Sequence, residues 1–296
     1  MDPIQSALHL GLGAVTAVGI VALGGRYGGE RGAAVVPLAA AIAAAWQFGV
    51  QEGGLMLRPD TKWALLPWTA LAAAGAATVV GATTTGRPSL ERATLAGFAA
   101  LVATTLVGDA PLLGSIQPLH LAAILSLTTA LALHGSADRW RGLPAAAWML
   151  AIASAFLGVG VLSLLGSIAK LGIVAVSTGV AVAGCSLPLW LGRRSLGPAS
   201  FAGLSALLAV LAGFGAAYFT GPYPFWLFLL PVVAPLAALA ARMKAVERRP
   251  RLALAVIAFA PACVVAASVA IGGVMSMAEA DEDAGSSIDS SVYGLR

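Results

Sequence analysis

Four ionisable side chains sit inside, or at the edge of, otherwise uncharged apolar runs: His9, Asp109, His120 and Lys170. Charge held in such surroundings is costly and usually functional. Two imidazoles, one carboxylate and one ammonium are the parts of a polar vestibule that could admit water or a polar solute. Each also has a structural counterpart: an interfacial histidine bonded to a carbonyl, an acid marking a loop, or a lysine reaching out from a tight turn. As a metal site the two histidines and Asp109 lack local ligand spacing, so no metal is expected.

Gln47 and the proline pair Pro231 and Pro235 are of a different kind. Gln47 puts an amide, donor and acceptor together, into an apolar run, where it could bond to a neighbouring helix. Prolines four apart each remove a backbone donor and clash with the preceding turn, which is expected to leave a tolerated kink in the helix, with a break at a binding site as the alternative. Broken helices are where many transporters bind solutes. Beyond these residues the chain carries no Ser/His/Asp or Cys/His order, no phosphate-binding glycine loop and no HExxH,. No catalytic residue and no cofactor is therefore expected. Cys185 and Cys263 both lie in apolar runs without a partner at ligand spacing, and are expected to be buried thiols,.

The elements that position these residues follow from composition. Of 296 residues, 59% are hydrophobic and 10% charged, and the mean hydropathy is +0.91. A soluble domain carries about 25% charged residues, so the solvent for most of these side chains must be a bilayer. The basic residues are spread along the chain rather than gathered on one face, which excludes a nucleic-acid groove binder. The segment MDPIQSALHL has no basic region, so the first apolar run is expected to be a helix of the mature chain,.

A helix needs about 20 mostly apolar residues to cross hydrocarbon. Such runs predict an all-α, polytopic membrane bundle with about ten transmembrane helices and short loops. The spans are 4–24, 33–51, 63–83, 93–109, 117–135, 143–165, 168–191, 199–219, 223–241 and 252–277, with a disordered acidic tail over 278–296. The turn near Gly166 and Ser167 and the short span 93–109 are the weakest breaks; without them the count falls to nine or eight.

Orientation comes from Lys and Arg in the short loops. With an outside N-terminus, the inside loops hold 13 of the 17 basic residues, and only Arg58, Lys62, Lys170 and Arg296 fall outside. One missed helix would invert every later loop. Trp46, Trp63, Trp68 and Trp226 fall near outer span ends, and Trp140, Trp148 and Trp190 near inner ones, as aromatic belts require,. Both termini are thus expected outside a cell membrane. An Arg-, Ala- and Gly-rich composition suggests a bacterial inner membrane. Between helices, Ala175, Gly179 and Ala183 form a small-residue stripe that predicts one tight contact, within the bundle or between subunits,.

Two functional readings follow. One is a small-molecule transporter or permease, with an outer vestibule at His9, Asp109, His120 and Lys170 and a helix break at Pro231 and Pro235. The other is a non-catalytic membrane subunit, scaffold or assembly factor, with membrane-protein partners or further copies of itself. An intramembrane enzyme would need a constellation that the sequence does not assemble.

Overall fold

The computed structural model describes residues 3–28, 35–55, 62–83, 145–191, 198–218, 224–243, 246 and 248–292. Its helices are α1 (Pro3–Gly28), α2 (Val36–Glu52), α3 (Lys62–Thr83), α4 (Ala145–Leu165), α5 (Ala169–Leu191), α6 (Pro198–Tyr218), the short α7 (Leu229–Val233) and α8 (Pro250–Val292). No strand occurs among the described residues. The expected spans 93–109 and 117–135, with Asp109 and His120, lie outside them. Among the described residues, three helices are long and apolar enough to cross a membrane: Ala146–Leu165 in α4, Ala169–Leu191 in α5 and Pro250–Ala278 in α8.

Helix is what these runs must form where water is scarce, because only helix satisfies every backbone group within one segment. The hydroxyls behave accordingly. Ser163 bonds back to the Val159 carbonyl, Thr178 to Val174 and Ser268 to Val265, so none needs a partner on another helix,. The helices end where local chemistry stops them. Gly53 adopts φ 76° after α2, and the Gly54 N–H donates to the Gly49 carbonyl at 2.7 Å. A left-handed glycine capping the last turn in this way is a common helix stop. Between α4 and α5 the left-handed position is filled by Ser167 (φ 64°), and the Ile168 N–H donates to the Ser163 carbonyl at 2.8 Å. That turn is as tight as the sequence suggests, and it carries a non-glycine residue where glycine would be unstrained.

The expected span 223–241 is not one helix. Phe225–Phe228 and Ala234–Arg242 are 3₁₀ segments on either side of α7. Proline at 231 and again at 235 removes two i→i−4 donors from the same column, and the tighter i→i+3 turn takes over around them.

Packing falls into two groups joined at α5 and α6. α2 is surrounded by α1, α3, α5 and α6, while α4 packs on α5, α8 and the 225–242 segment. Phe48, Phe156, Phe228, Met149 and Ile152 are among the largest fully buried side chains. The α4–α5 crossing is the closest. A Cβ on Gly172 would lie 2.9 Å from the Gly160 carbonyl oxygen, and one on Gly179 would lie 3.1 Å from the Ala153 oxygen. Glycine lets the two backbones approach to a distance that a methyl group would forbid. The line of approach on α5 is Gly172, Val176 and Gly179. It shares Gly179 with the expected Ala175–Gly179–Ala183 stripe but is rotated from it.

α8 departs from expectation in two ways. Its helical backbone continues through the acidic segment to Val292, over residues expected as a disordered tail. Between Ala278 and Gly285 that segment is Ala, Glu and Asp, with no proline to stop a helix already propagating,. Second, only 22% of its apolar window is buried, against 67% in α4. Phe259, Val274 and Met277 stand bare, and Cys263, expected to be buried, is exposed on the same helix. A water-soluble surface seldom leaves so large an apolar stretch uncovered, whereas lipid solvates it.

Candidate functional site

A group of polar residues lies at the end of the bundle where α1, α3 and α5 begin and α2 ends. The sequence builds this end by stopping α2 at Gly53–Gly54 directly after Gln51 and Glu52. Glu52 then accepts hydrogen bonds from two sides: Lys170 Nζ at 2.6 Å, from the first turn of α5, and Trp63 Nε1 at 2.8 Å, from the first turn of α3. One carboxylate thus ties three helix ends together. The ammonium bond of Lys170 and then the indole bond of Trp63 hold the Glu52 carboxyl below its ordinary pKa, against a smaller upward push from burial,. Beneath this clasp the Trp63 ring packs on Phe48 (centroids 5.0 Å apart, tilted 42°) and on Phe214 (5.6 Å, 53°). The ring contacts fix the indole that Glu52 receives.

Beside the clasp, α1 and α2 enclose an open cavity of about 520 Å³. His9 lines it from α1; Ala45, Trp46, Gly49, Val50 and Gly53 line it from one face of α2, and Gly54 and Leu55 close the rim. One turn deeper, Gly13 faces Trp46 across the α1–α2 contact, where a Cβ would sit at ordinary contact distance, 3.5 Å from Trp46 Cδ1. His9 Nδ1 is shielded from solvent and has no hydrogen-bond partner. Among the described residues no charged side chain lines this cavity.

Further buried polar atoms lie on other faces. Gln47 is 2% exposed, and its Oε1 has no partner; both amide atoms of Gln51, four residues on, are in the same condition. The Ser177 hydroxyl of α5, which packs on α2, is also buried and unpartnered. Neither glutamine lines the His9 cavity, because the lining positions occupy the other side of α2. Native proteins seldom leave several such groups unpaired, and where they do an unseen water, ion or ligand commonly completes them.

Of the residues singled out from sequence, His9 and Lys170 lie at the same end of the bundle. Lys170 does not enter the His9 cavity; its ammonium is engaged by Glu52. Asp109 and His120 lie outside the described residues. Pro231 is buried against Gly158 of α4, where a Cβ would lie 3.2 Å from the proline ring, and neither it nor Pro235 borders the cavity. Sequence reasoning missed Glu52, Gln51 and Trp46 as site residues; for Gln51 and Glu52 the signal available was their position immediately before a double-glycine helix stop. No group of three or more His, Cys, Asp or Glu side chains suited to a metal ion occurs among the described residues. Comparison with family models, with curated proteins and with solved structures gives no match to this chain.

Proposed function

We propose that this chain is a multi-pass membrane protein with about ten spans and both termini on the non-cytoplasmic side of a bacterial inner membrane, and that it passes a small polar molecule across that membrane as a transporter or permease. The observation that carries this reading is the set of buried, unpaired polar atoms on Gln47, Gln51 and Ser177. Left dry, each would cost about 1–3 kcal/mol. In an apolar bundle such groups are expected to meet water or solute during the working cycle. The interrupted helix around Pro231 and Pro235 supports the same reading, since unwound backbone offers carbonyls that a regular helix hides,.

Thiol accessibility tests it. In a background with Cys185 and Cys263 replaced by alanine, Ser177→Cys and Gln47→Cys should react with a small membrane-impermeant thiol reagent. Complete protection of both, in folded protein, would mean a dry interior and no aqueous path. Reporter fusions at residues 138, 246 and 290 test topology; the first two are expected in the cytosol and the third outside.

A second reading, a non-catalytic subunit or scaffold, draws support from the glycine-lined α4–α5 seam and from the bare apolar length of α8. Both features would serve a bundle whose task is to hold partners in the membrane.

A further inference from the structure

The start of α8 gathers positive charge. From Arg242 to Arg251 the sequence holds five basic residues, Arg242, Lys244, Arg248, Arg249 and Arg251, and a single acid, Glu247, which cannot balance them. Arg248, Arg249 and Arg251 are exposed, and among the described residues none of the three meets an acid. Their backbone is held in place. The Arg249 N–H donates to the Val246 carbonyl at 2.9 Å, and the Ala253 N–H donates to the Arg249 carbonyl at 2.9 Å. The first turn of α8 contains no acidic residue, although the positive end of a helix favours an anion. Cations collected there are repelled by one another and by the helix end, and a negative partner would relieve both.

The surroundings of the patch define that partner. The apolar window of α8 is Pro250–Ala278, so the three arginines stand at the lip of a segment able to span a membrane. Ile257, Pro261, Val265 and Ser268 form its buried side, recurring at helical spacing,. Leu252, Phe259 and Cys263 occupy the opposite side and are bare, Phe259 to 68%. Exposed guanidinium groups and an uncovered apolar track therefore follow one another along one helix.

We propose that the start of α8 binds an anionic phospholipid, its phosphodiester held by Arg248, Arg249 and Arg251 and an acyl chain lying along Leu252 and Phe259. Guanidinium offers paired N–H donors that match phosphate oxygens. Basic clusters directly beside a membrane span attract anionic headgroups for the same reason. Free phosphate would meet these donors too, but only a lipid also covers the apolar track. A choline lipid carries its own cation and leaves the arginines without a net counter-charge. All the groups invoked are exposed, and the site holds whichever face of the membrane this end of α8 occupies.

Photolabelling of the full chain in non-ionic detergent tests this. A phosphatidylglycerol with a diazirine on its acyl chain is expected to label residues 252–263, about tenfold more strongly than a phosphatidylcholine probe with the same chains. Replacing Arg248, Arg249 and Arg251 together by glutamine should remove most of that preference at 252–263 and leave labelling of α4 and α5 unchanged. A thermal midpoint near the parent's shows that the variant is folded. Raising salt should reduce the preference in the parent chain itself, with no substitution needed. Inorganic phosphate in excess should displace the probe only weakly. Equal labelling by the choline probe, labelling spread evenly along the apolar helices, indifference to the triple substitution or to salt, or full displacement by inorganic phosphate would each overturn the proposal. The readout is independent of the Ser177→Cys accessibility assay, so failure of one reading is distinguishable from failure of the other.

Discussion

Replacing Gly172 by alanine should push α4 and α5 apart. The added methyl would lie 2.9 Å from the Gly160 carbonyl oxygen, 2.6 Å from Leu164 Cγ and 2.8 Å from its Cδ2. Leu164 is 45% exposed and can swing aside. The carbonyl belongs to a helix backbone and cannot, so the seam must open by about half an ångström to restore ordinary contact. Overpacking of this kind costs about 1–3 kcal/mol. Exchanging glycine for alanine in a helix interior returns up to about 1 kcal/mol, so the net loss is smaller than the clash. Gly273→Ala in α8 supplies the reference, because a Cβ there meets nothing within 4 Å and only the helix gain applies. The difference between the two variants therefore isolates the seam, at about 1–3 kcal/mol. Thermal unfolding in detergent should put Gly172→Ala several degrees below Gly273→Ala. Adding Leu164→Ala to Gly172→Ala should recover the side-chain part of the loss and leave the backbone part. If Gly172→Ala and Gly273→Ala raise the midpoint alike, the close approach of these two backbones is wrong.

Ser167→Gly should stabilise the α4–α5 turn. It relieves a left-handed serine at about 1–2 kcal/mol and gives back about 0.4–1 kcal/mol in unfolded-chain entropy; a midpoint below the parent's would count against the φ of 64°. Glu52→Gln should remove an acid-sensitive contribution. Since the folded carboxyl is held below its ordinary pKa, the stability it adds is complete above the unfolded value near 4.5 and is lost as pH falls through the folded one,. Unfolding midpoints followed from pH 7 down to about 4 should therefore drop less in the variant than in the parent. The difference should stay below about 1 kcal/mol, because Lys170 is 59% exposed and solvent screens the pair,. Trp63→Phe keeps the ring against Phe48 and Phe214 but drops the indole donor, and should cost about 1 kcal/mol in the same assay. In Glu52→Gln the same change should cost less, which a double-mutant comparison would read.

What the sequence makes legible here is mostly one-dimensional. Long uncharged runs mark helices; Gly53–Gly54 marks the end of α2; Pro231 and Pro235 mark the break that the 3₁₀ segments realise. Facing is harder to read. Helices apolar all round carry no stripe to tell the packed side from the lipid side, so the seam on α5 could be assigned to Ala175–Gly179–Ala183 when it runs through Gly172, Val176 and Gly179. Glu52 and Lys170 are 118 positions apart, and nothing local to either announces the other. Lys170 consequently reads as a free vestibule cation from sequence and as a tied one in the fold. His9 is conspicuous in sequence as a lone imidazole in an apolar run, and in the fold it lies beside the α1–α2 cavity. The acidic stretch after Ala278 was read by composition, which reports what can be buried, whereas a helix already formed upstream needs no burial to run on.

The length of α8 has a mechanical corollary. Its 43 residues extend about 64 Å,, roughly twice the thickness of a hydrocarbon core. With the apolar portion seated in lipid, the part beyond Ala278 stands off the surface by about 20 Å,. That is more than two screening lengths in physiological salt, so a charge carried at that distance would be screened from the headgroups below. The helix is a boom: whatever is fused or docked at its far end swings in open solvent, clear of the bilayer.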